Sequence, residues 1–344
     1  MNDLVAVIMP TRNRSRLLKR SVLSLLRQTH QKLEILVFDD GSTDDTAEVL
    51  ADLAKKDPRV RFFHSDVSVG IATALNRLIN QCRGRFIVRM DDDDVAYPER
   101  IQKQLSFMQA NRLGVCGTGC RRVAGWRRSR IIYPQTHELI RAELLFQPPL
   151  LHPSVMMVRS LLLQHGGYRT DVPHAEDYEL WVRLIEHTRF GNVPEVLLDY
   201  TLSAQQVSRR YNAAQVESAK RIRAQYLSQF PVSYDSREAA IHVSLREPIP
   251  IKDLTALEEA GRWLLKLSGW FTEDCRTVFA RQWFLCAVRA AGLGPPAFEV
   301  WNSMPLASDI SPQRRRMLWG LCQLRLRYRS APYRWLEPLA GSGG

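Results

Sequence analysis

A doubly wound α/β fold, with a mostly parallel sheet and an added helical C-terminal region, is predicted by three features of this 344-residue chain. Up to about residue 110, short β-rich runs alternate with helical ones, the pattern of parallel strands joined by crossover helices. Polar or acidic clusters directly follow three of those strand runs, and such folds bind ligands beyond the carboxyl ends of their strands. Beyond about Gln205 the spacing turns almost wholly helical.

In chain order, strands are expected at Leu4 to Met9, Glu34 to Phe38, Arg59 to Phe63 and Phe86 to Met90. Between them, Ser15 to Gln28, Asp44 to Lys56 and Ile71 to Cys82 carry helical spacing, the second opened by Ser42 three residues before Asp45. From Gly114 to Thr201 come short strands, turns and one strong helix, Ala175 to His187. The helical region reads as Ala213 to Gln229, Ile251 to Leu267, Glu273 to Ala291 and Pro312 to Arg329, with a low-complexity tail at Gly341 to Gly344.

At 45% hydrophobic content the chain can bury a full core. Its six cysteines are scattered, with no CxxC pair, and read as reduced thiols of a cytoplasmic protein. The N-terminal apolar run ends at Pro10 and reads as a strand, not a signal peptide. No apolar run approaches the roughly 18 residues of a membrane span. The net charge of +12 implies attraction to nucleic acid, an anionic lipid surface or a phosphorylated substrate, without choosing among them.

Asp91-Asp92-Asp93-Asp94, delivered by the apolar run Arg85 to Met90, carries the most chemical information. At roughly 4 Å and an effective dielectric near 20, each like-charge pair repels by about 4 kcal/mol, so the cluster calls for a cation. All-oxygen ligands suit Mg²⁺ or Mn²⁺. The competing reading makes Asp93 or Asp94 the cap of a helix from Tyr97 to Ala110, but a cap needs one carboxylate, not four. Asp39-Asp40-Gly41, taken alone, reads more readily as a plain turn with a helix cap.

The ordered set VAVIMPTRNR, VFDDGSTDDT, GIATALNRLINQCRGRFIVRMDDDD, HPSVMMVRS, GGYR and HAEDYELWVRL resembles the family 2-type nucleotide-sugar glycosyltransferases of the GT-A fold over residues 4–208. The resemblance implies a catalytic domain at 1–208, with a nucleotide-binding half at 1–113 and an acceptor half at 114–208, and places 209–344 outside it. It further implies that Pro10, Thr11, Asn13 and Asp40 line the nucleotide pocket, Asp40 accepting from the imide N–H of a uracil-like base, and that Asn76 faces the nucleotide, with Gly70 easing the turn before its helix. Arg77 reads as a solvated helix residue.

By the same match the DxD motif is Asp91-Asp92-Asp93, with Asp91 on the ribose and metal side, Asp93 the direct ligand of Mn²⁺ or Mg²⁺, and Asp94 extending the pattern. Glu176-Asp177 matches the acidic pair of the acceptor side, Asp177 being the base that deprotonates the acceptor hydroxyl. The alternative is that both merely favour a helix N-terminus. His152 and His174 read as packed residues, and Gly166-Gly167-Tyr168 as a tight turn. One departure is plain: relatives often carry Tyr-Arg-x-His after the last strand, with a metal-binding histidine, where this chain has Tyr200-Thr201-Leu202-Ser203. Either the acidic cluster and substrate phosphates alone hold the metal, or activity is weakened, or the metal is dispensable, and Arg209-Arg210 would then help neutralise the diphosphate.

The implied activity is inverting transfer of a sugar from a UDP-sugar to a glycan or lipid-linked acceptor in cell-surface polysaccharide biosynthesis. Two other classes compete. A sugar-phosphate nucleotidyltransferase would need a glycine-rich basic loop for a triphosphate, and none is seen. A nucleic-acid-binding protein would not centre its cleft on carboxylates. The C-terminal stripe Met317, Leu321, Leu324 and Tyr328, flanked by arginines, suits either packing on the catalytic domain or peripheral contact with the anionic inner face of the cell membrane.

Overall fold

The computed structural model describes residues 3–202, 212–330 and Tyr333. Four parallel strands open the chain: β1 (Val5–Thr11), β2 (Leu33–Asp40), β3 (Val60–Ser65) and β4 (Phe86–Arg89), joined by α1 (Ser15–Leu26), α2 (Thr46–Lys56) and α3 (Ile71–Gln81). Their order is β3-β2-β1-β4. Val5 to Met9 and Ile35 to Val37 are fully buried, the near-continuous apolar run expected of strands covered on both faces. β1 and β2 run on to Thr11 and Asp40, two residues past the predicted ends, and Thr11 lies in register with Asp39. The polar residues therefore sit on rigid strand ends rather than on free loops.

The predicted cap of α2 is corrected. Ser42 Oγ accepts from Asn13 N at 2.9 Å, while Asp44 Oδ1 takes the Thr46 N–H at 3.0 Å. The reason is competition: Gly41, at φ +73°, turns Ser42 back toward the end of β1.

The sheet continues through β5 (Val95–Ala96), α4 (Arg100–Asn111), β6 (Leu113–Ala124), β7 (Arg127–Ile131), α5 (His137–Leu144), β8 (Met156–Val158), α6 (Arg159–Gln164), α7 (Glu176–Leu184) and β9 (Arg189–Thr201). Its order extends as β4-β8-β6-β9-β5, β6 pairing β9 in parallel, with β7 folded back on β6 as a hairpin. The capping role considered for Asp93 and Asp94 is not seen: β5 intervenes, α4 starts at Arg100, and Glu99 occupies its cap position.

The chain divides into two compact units, Met1–His137 with Pro148–Ser218, and Glu138–Gln147 with Ala219–Gly344. The second unit thus includes a segment from inside the predicted acceptor half. It contains α8 (Asn212–Leu227) in part, α9 (Ser236–Ser244), α10 (Leu254–Ser268), α11 (Arg276–Ala290), α12 (Pro295–Ser303) and α13 (Pro312–Gln323). α9 and α12 were not predicted, although Asp235 and Glu238 form a complete capping box and Gly294-Pro295 is a recognisable start signal.

Trp263, Trp283 and Trp301 fill this unit's core, Trp283 Nε1 donating to Trp301 O at 3.1 Å. The expected C-terminal stripe is also corrected. α13 ends at Gln323, Leu318, Leu321 and Cys322 form its buried face, and Leu324 is left 67% exposed. All six cysteines are free and buried. Among the described residues no helix is long and apolar enough to cross a membrane. Ser203, Arg209, Arg210 and the glycine tail lie outside the described residues.

Candidate active site

The parallel strands bring the ends of β1, β2 and β4 to one edge, and hydrogen bonds lock them together. Thr11 Oγ1 donates to Asp92 Oδ2 at 2.6 Å, joining β1 to the acidic cluster. Asn13 Oδ1 accepts from Thr43 N at 2.7 Å, joining β1 to the loop after β2. Asn13 has φ +53°, a strained value that this bridge holds.

Asp40 Oδ1 accepts from Val69 N at 2.6 Å, and Oδ2 from Ser68 Oγ and Gly70 N at 2.7 and 3.1 Å. A carboxylate offers about four lone-pair positions, so one remains. Pro10 is partly exposed at the same edge, in register with Phe38, and Arg77 lies over the Phe38 ring at 5.5 Å.

Asn76 does not point freely into this pocket. Its Nδ2 donates to Tyr168 O at 2.7 Å and its Oδ1 accepts from Tyr168 N at 2.8 Å, so the amide fastens α3 to the Gly166-Gly167-Tyr168 turn. Gly167 has φ +64°, and a Cβ there would fall 2.4 Å from Asn76 Oδ1. From the other side Arg183 of α7 donates to Gly167 O at 2.7 Å.

In the acidic cluster, Asp91, Asp93 and Asp94 each offer an oxygen within 4.8 Å of the others. Asp92 is turned toward Thr11 instead. Asp94 Oδ1 accepts from Thr201 N at 2.9 Å, whereas its Oδ2 is buried without a hydrogen-bond partner. That orphaned acceptor beside two further carboxylates fits a hard divalent cation. α1 fixes the cluster's backbone: Ser21 Oγ lies 2.8 Å from Asp92 O and 2.6 Å from Asp94 O, and Arg20 Nη2 donates to Asp93 O at 2.6 Å.

Burial raises Asp92 to about 7 and Asp93 to about 6, with neighbouring carboxylates adding to both. Asp94 is raised well above the usual range by burial and then by Asp91.

Glu176 and Asp177 open α7. Burial raises Glu176 to about 7, with the Asp177 charge adding. Asp177 is also raised by burial, offset by the N–H of Tyr178, which donates to its Oδ1 at 2.7 Å. The two titrate as a pair. Next to them, Tyr168 and His152 share a buried 2.9 Å hydrogen bond, and burial holds His152 neutral. His174 sits at φ +59° just before α7.

Arg89 is the residue that sequence reasoning missed. It is 3% exposed, and its Nη2 lies 2.5 Å from Asp91 Oδ1, while Nε and Nη1 are buried with no partner. Burial disfavours its charge, but Asp91 overcomes this and keeps it cationic. Arg89 and Asp91 also add smaller charge contributions at Glu176 and Asp177, behind the dominant effect of burial. An arginine inside Phe86-Ile87-Val88-Arg89-Met90 was the available signal, since a fully buried strand rarely contains an unpaired cation.

The raised carboxylates predict a pH dependence. Between the ordinary carboxylate range and about 7, the folded protein binds more protons than the unfolded chain, so their contribution is fully present below the unfolded pKa and is lost as pH rises through about 6 to 7. A divalent cation competes with those protons. Mn²⁺ is therefore expected to raise the melting temperature more at about pH 7.5 than at about pH 5. Melting curves with and without Mn²⁺ check this, and equal shifts at both pH values would contradict it.

A family model described as glycosyl transferase family 2 matches residues 6–166. The O-antigen biosynthesis glycosyltransferase WbnJ of Escherichia coli is 31% identical over 206 residues, covering 58% of this chain and 80% of that protein. An uncharacterized glycosyltransferase of Haemophilus influenzae is 29% identical over 244 residues, covering 66% of this chain and 74% of that protein.

Among solved structures, residues 1–349 of S. aureus TarS in complex with UDP-GlcNAc superpose with a TM-score of 0.57 at 15% identity, covering 96% of this chain and 91% of that one. The mannosyltransferase PcManGT from Pyrobaculum calidifontis, in complex with GDP-Man and Mn²⁺, gives 0.55 at 18% identity, covering 93% and 87%. At these identities the structural likeness speaks for the fold, which is of the GT-A type. The fold, the motifs and the span shared with WbnJ agree: the chain belongs to glycosyltransferase family 2.

Proposed function

We propose that the protein is an inverting glycosyltransferase that moves a sugar from a UDP-sugar to a hydroxyl of a glycan or glycolipid acceptor in cell-surface polysaccharide biosynthesis. The observation that carries this reading is the convergence of Asp91, Asp93 and Asp94 within 4.8 Å of one another just after β4, with Asp94 Oδ2 buried and without a hydrogen-bond partner. In-line displacement at an anomeric carbon needs a leaving-group stabiliser and a base, and the two carboxylate groups divide those tasks.

Pro10, Thr11, Asn13 and Asp40 form the nucleotide pocket, the remaining lone pair of Asp40 receiving the base. Asn76 shapes the pocket wall through Tyr168 rather than by free contact. Asp91, Asp93 and Asp94 would hold Mn²⁺ or Mg²⁺, which supplies neutralisation of charge developing on the diphosphate. Asp177, partly exposed at the head of α7, takes the proton from the acceptor hydroxyl, and Glu176 behind it keeps the pair's affinity for protons high.

UDP is suggested by the TarS complex, while the GDP-Man complex of PcManGT makes GDP-sugars the proper comparison, since the Asp40 carboxylate can accept from uracil N3–H or from guanine N1–H and its amino group. A donor screen that follows nucleotide release with and without Mn²⁺ or Mg²⁺ tests the proposal. Acceptor-dependent release of UDP supports it. Release of pyrophosphate from a nucleoside triphosphate, or turnover of no nucleotide sugar, would refute it.

A further inference from the structure

The β6–β7 hairpin carries chemistry that sugar transfer does not require. Its tip reads RRVAGWRRSR from Arg121 to Arg130, five arginines and no carboxylate. Gly125, at φ +58°, forms the turn with Trp126, which is 85% exposed. Arg121 faces Arg130 directly across the ladder, a pairing of like charges that weakens a hairpin. Arg121 is relieved by Asp199 at 2.7 Å, but Arg122, Arg127, Arg128 and Arg130 are exposed and have no carboxylate partner among the described residues. Arg127 lies over the Trp126 ring at 5.3 Å, and four arginines without a carboxylate partner around one exposed indole suit an anionic partner.

The hairpin is continuous with a second basic surface. Val123 pairs with Thr201, and Arg20 reaches Thr201 Oγ1 at 3.3 Å and Asp93 O at 2.6 Å. Arg20 lines an open hollow of about 410 Å³ together with Arg16, Lys19 and Arg27. One cationic strip therefore runs from the hairpin tip to the rim of the acidic cluster.

We propose that this strip docks the protein on an anionic lipid bilayer, Trp126 seated at headgroup level and the arginines on lipid phosphates. Two observations favour a bilayer over nucleic acid. A lone indole at a hairpin tip suits the membrane interface, where an amphipathic ring is half wet, whereas single strands are held by several interleaved aromatics. The ladder register puts Arg122 and Arg127 on one face of the hairpin and Arg128 and Arg130 on the other, so arginines flank the ring on both sides and reach lipid phosphates around a tip seated in an anionic leaflet. Docking moves the membrane contact from α13, whose Leu318, Leu321 and Cys322 are buried, to the first unit. It rests on the transferase reading only for its purpose, which is to bring the acidic site to an acceptor at the bilayer.

Flotation of the full chain with vesicles tests the proposal. Wild type should bind phosphatidylcholine vesicles containing about a third phosphatidylglycerol at low salt, dissociate as salt rises, and ignore pure phosphatidylcholine. Each arginine at such a surface contributes about fivefold, so Arg122→Gln, Arg127→Gln and Arg128→Gln together should lower partition on the order of a hundredfold. The chain has eight tryptophans, so quenching by brominated lipid is read as the difference between wild type and Trp126→Phe.

Undiminished binding of the triple variant, equal binding to neutral vesicles, no quenching difference, or capture of RNA in preference to vesicles would overturn the proposal. Donor turnover with a soluble acceptor should be unchanged in the triple variant. Wild type that floats but turns over no nucleotide sugar would count against the transferase reading alone.

Discussion

Asp177→Asn is expected to lower sugar transfer by about 10³-fold while leaving donor affinity unchanged. The substitution keeps the side chain's shape, and its amide oxygen can still accept the Tyr178 N–H that holds Asp177 Oδ1 at 2.7 Å. What it removes is the lone pair that takes a proton from the acceptor hydroxyl. That loss falls on the transition state and not on donor binding, so kcat should drop with KM for the donor little changed.

The wild-type pH profile gives an independent signature. Because burial raises both members of the pair, Glu176 to about 7, activity at saturating Mn²⁺ should fall as pH drops through that region, and this acid limb should move to lower pH in the residual activity of the variant, where Glu176 titrates without the Asp177 charge beside it. Single-turnover transfer and nucleotide-binding titrations measure both quantities. Transfer within a few-fold of wild type would overturn the base assignment.

Asp93→Asn is expected to cost about 10²- to 10³-fold and to raise the Mn²⁺ concentration needed for half-maximal activity. Asp93 is the least committed of the three gathered carboxylates: its one charge partner is Arg14 at 3.8 Å, whereas Asp91 is bound to Arg89 at 2.5 Å and Asp94 to Thr201 N at 2.9 Å. Losing it removes a ligand without releasing a structural tie.

Asp92→Asn is the matched control. Asp92 is spent on Thr11, and an amide oxygen can still accept that hydroxyl, so activity should stay near wild type. Rates measured across a Mn²⁺ titration separate the two variants. A larger loss at Asp92 than at Asp93 would mean that the cluster's orientation has been misjudged.

The strands of the first half were legible because a strand covered on both faces must be continuously apolar, and Val5 to Met9 or Ile35 to Val37 can be little else. The acidic cluster was legible because charge directly after such a strand has only the sheet edge to occupy. Less legible was how neighbouring polar groups divide the work. Ser42 was read as a cap because spacing along the chain was visible, whereas its partner, Asn13 N, comes from another strand.

Asn76 was expected to reach the nucleotide, yet its amide is taken by the backbone of Tyr168, ninety-two residues away in sequence. Arg89 was overlooked because one-dimensional patterns rank a lone charge within an apolar run as noise. Its meaning appears only when the fold turns Asp91 back onto its guanidinium. The stripe on the last helix misled for a related reason: periodicity assigned Leu324 to an apolar face, but the helix ends one residue earlier.

Anomalous diffraction from crystals of wild-type protein grown with Mn²⁺ and UDP tests the central claim most directly. A single strong manganese peak bounded by Asp91, Asp93 and Asp94, with the diphosphate on it and the Asp177 carboxylate facing the same hollow, is the predicted result. Manganese elsewhere, or nucleotide bound on a surface from which Asp177 is turned away, would contradict the account.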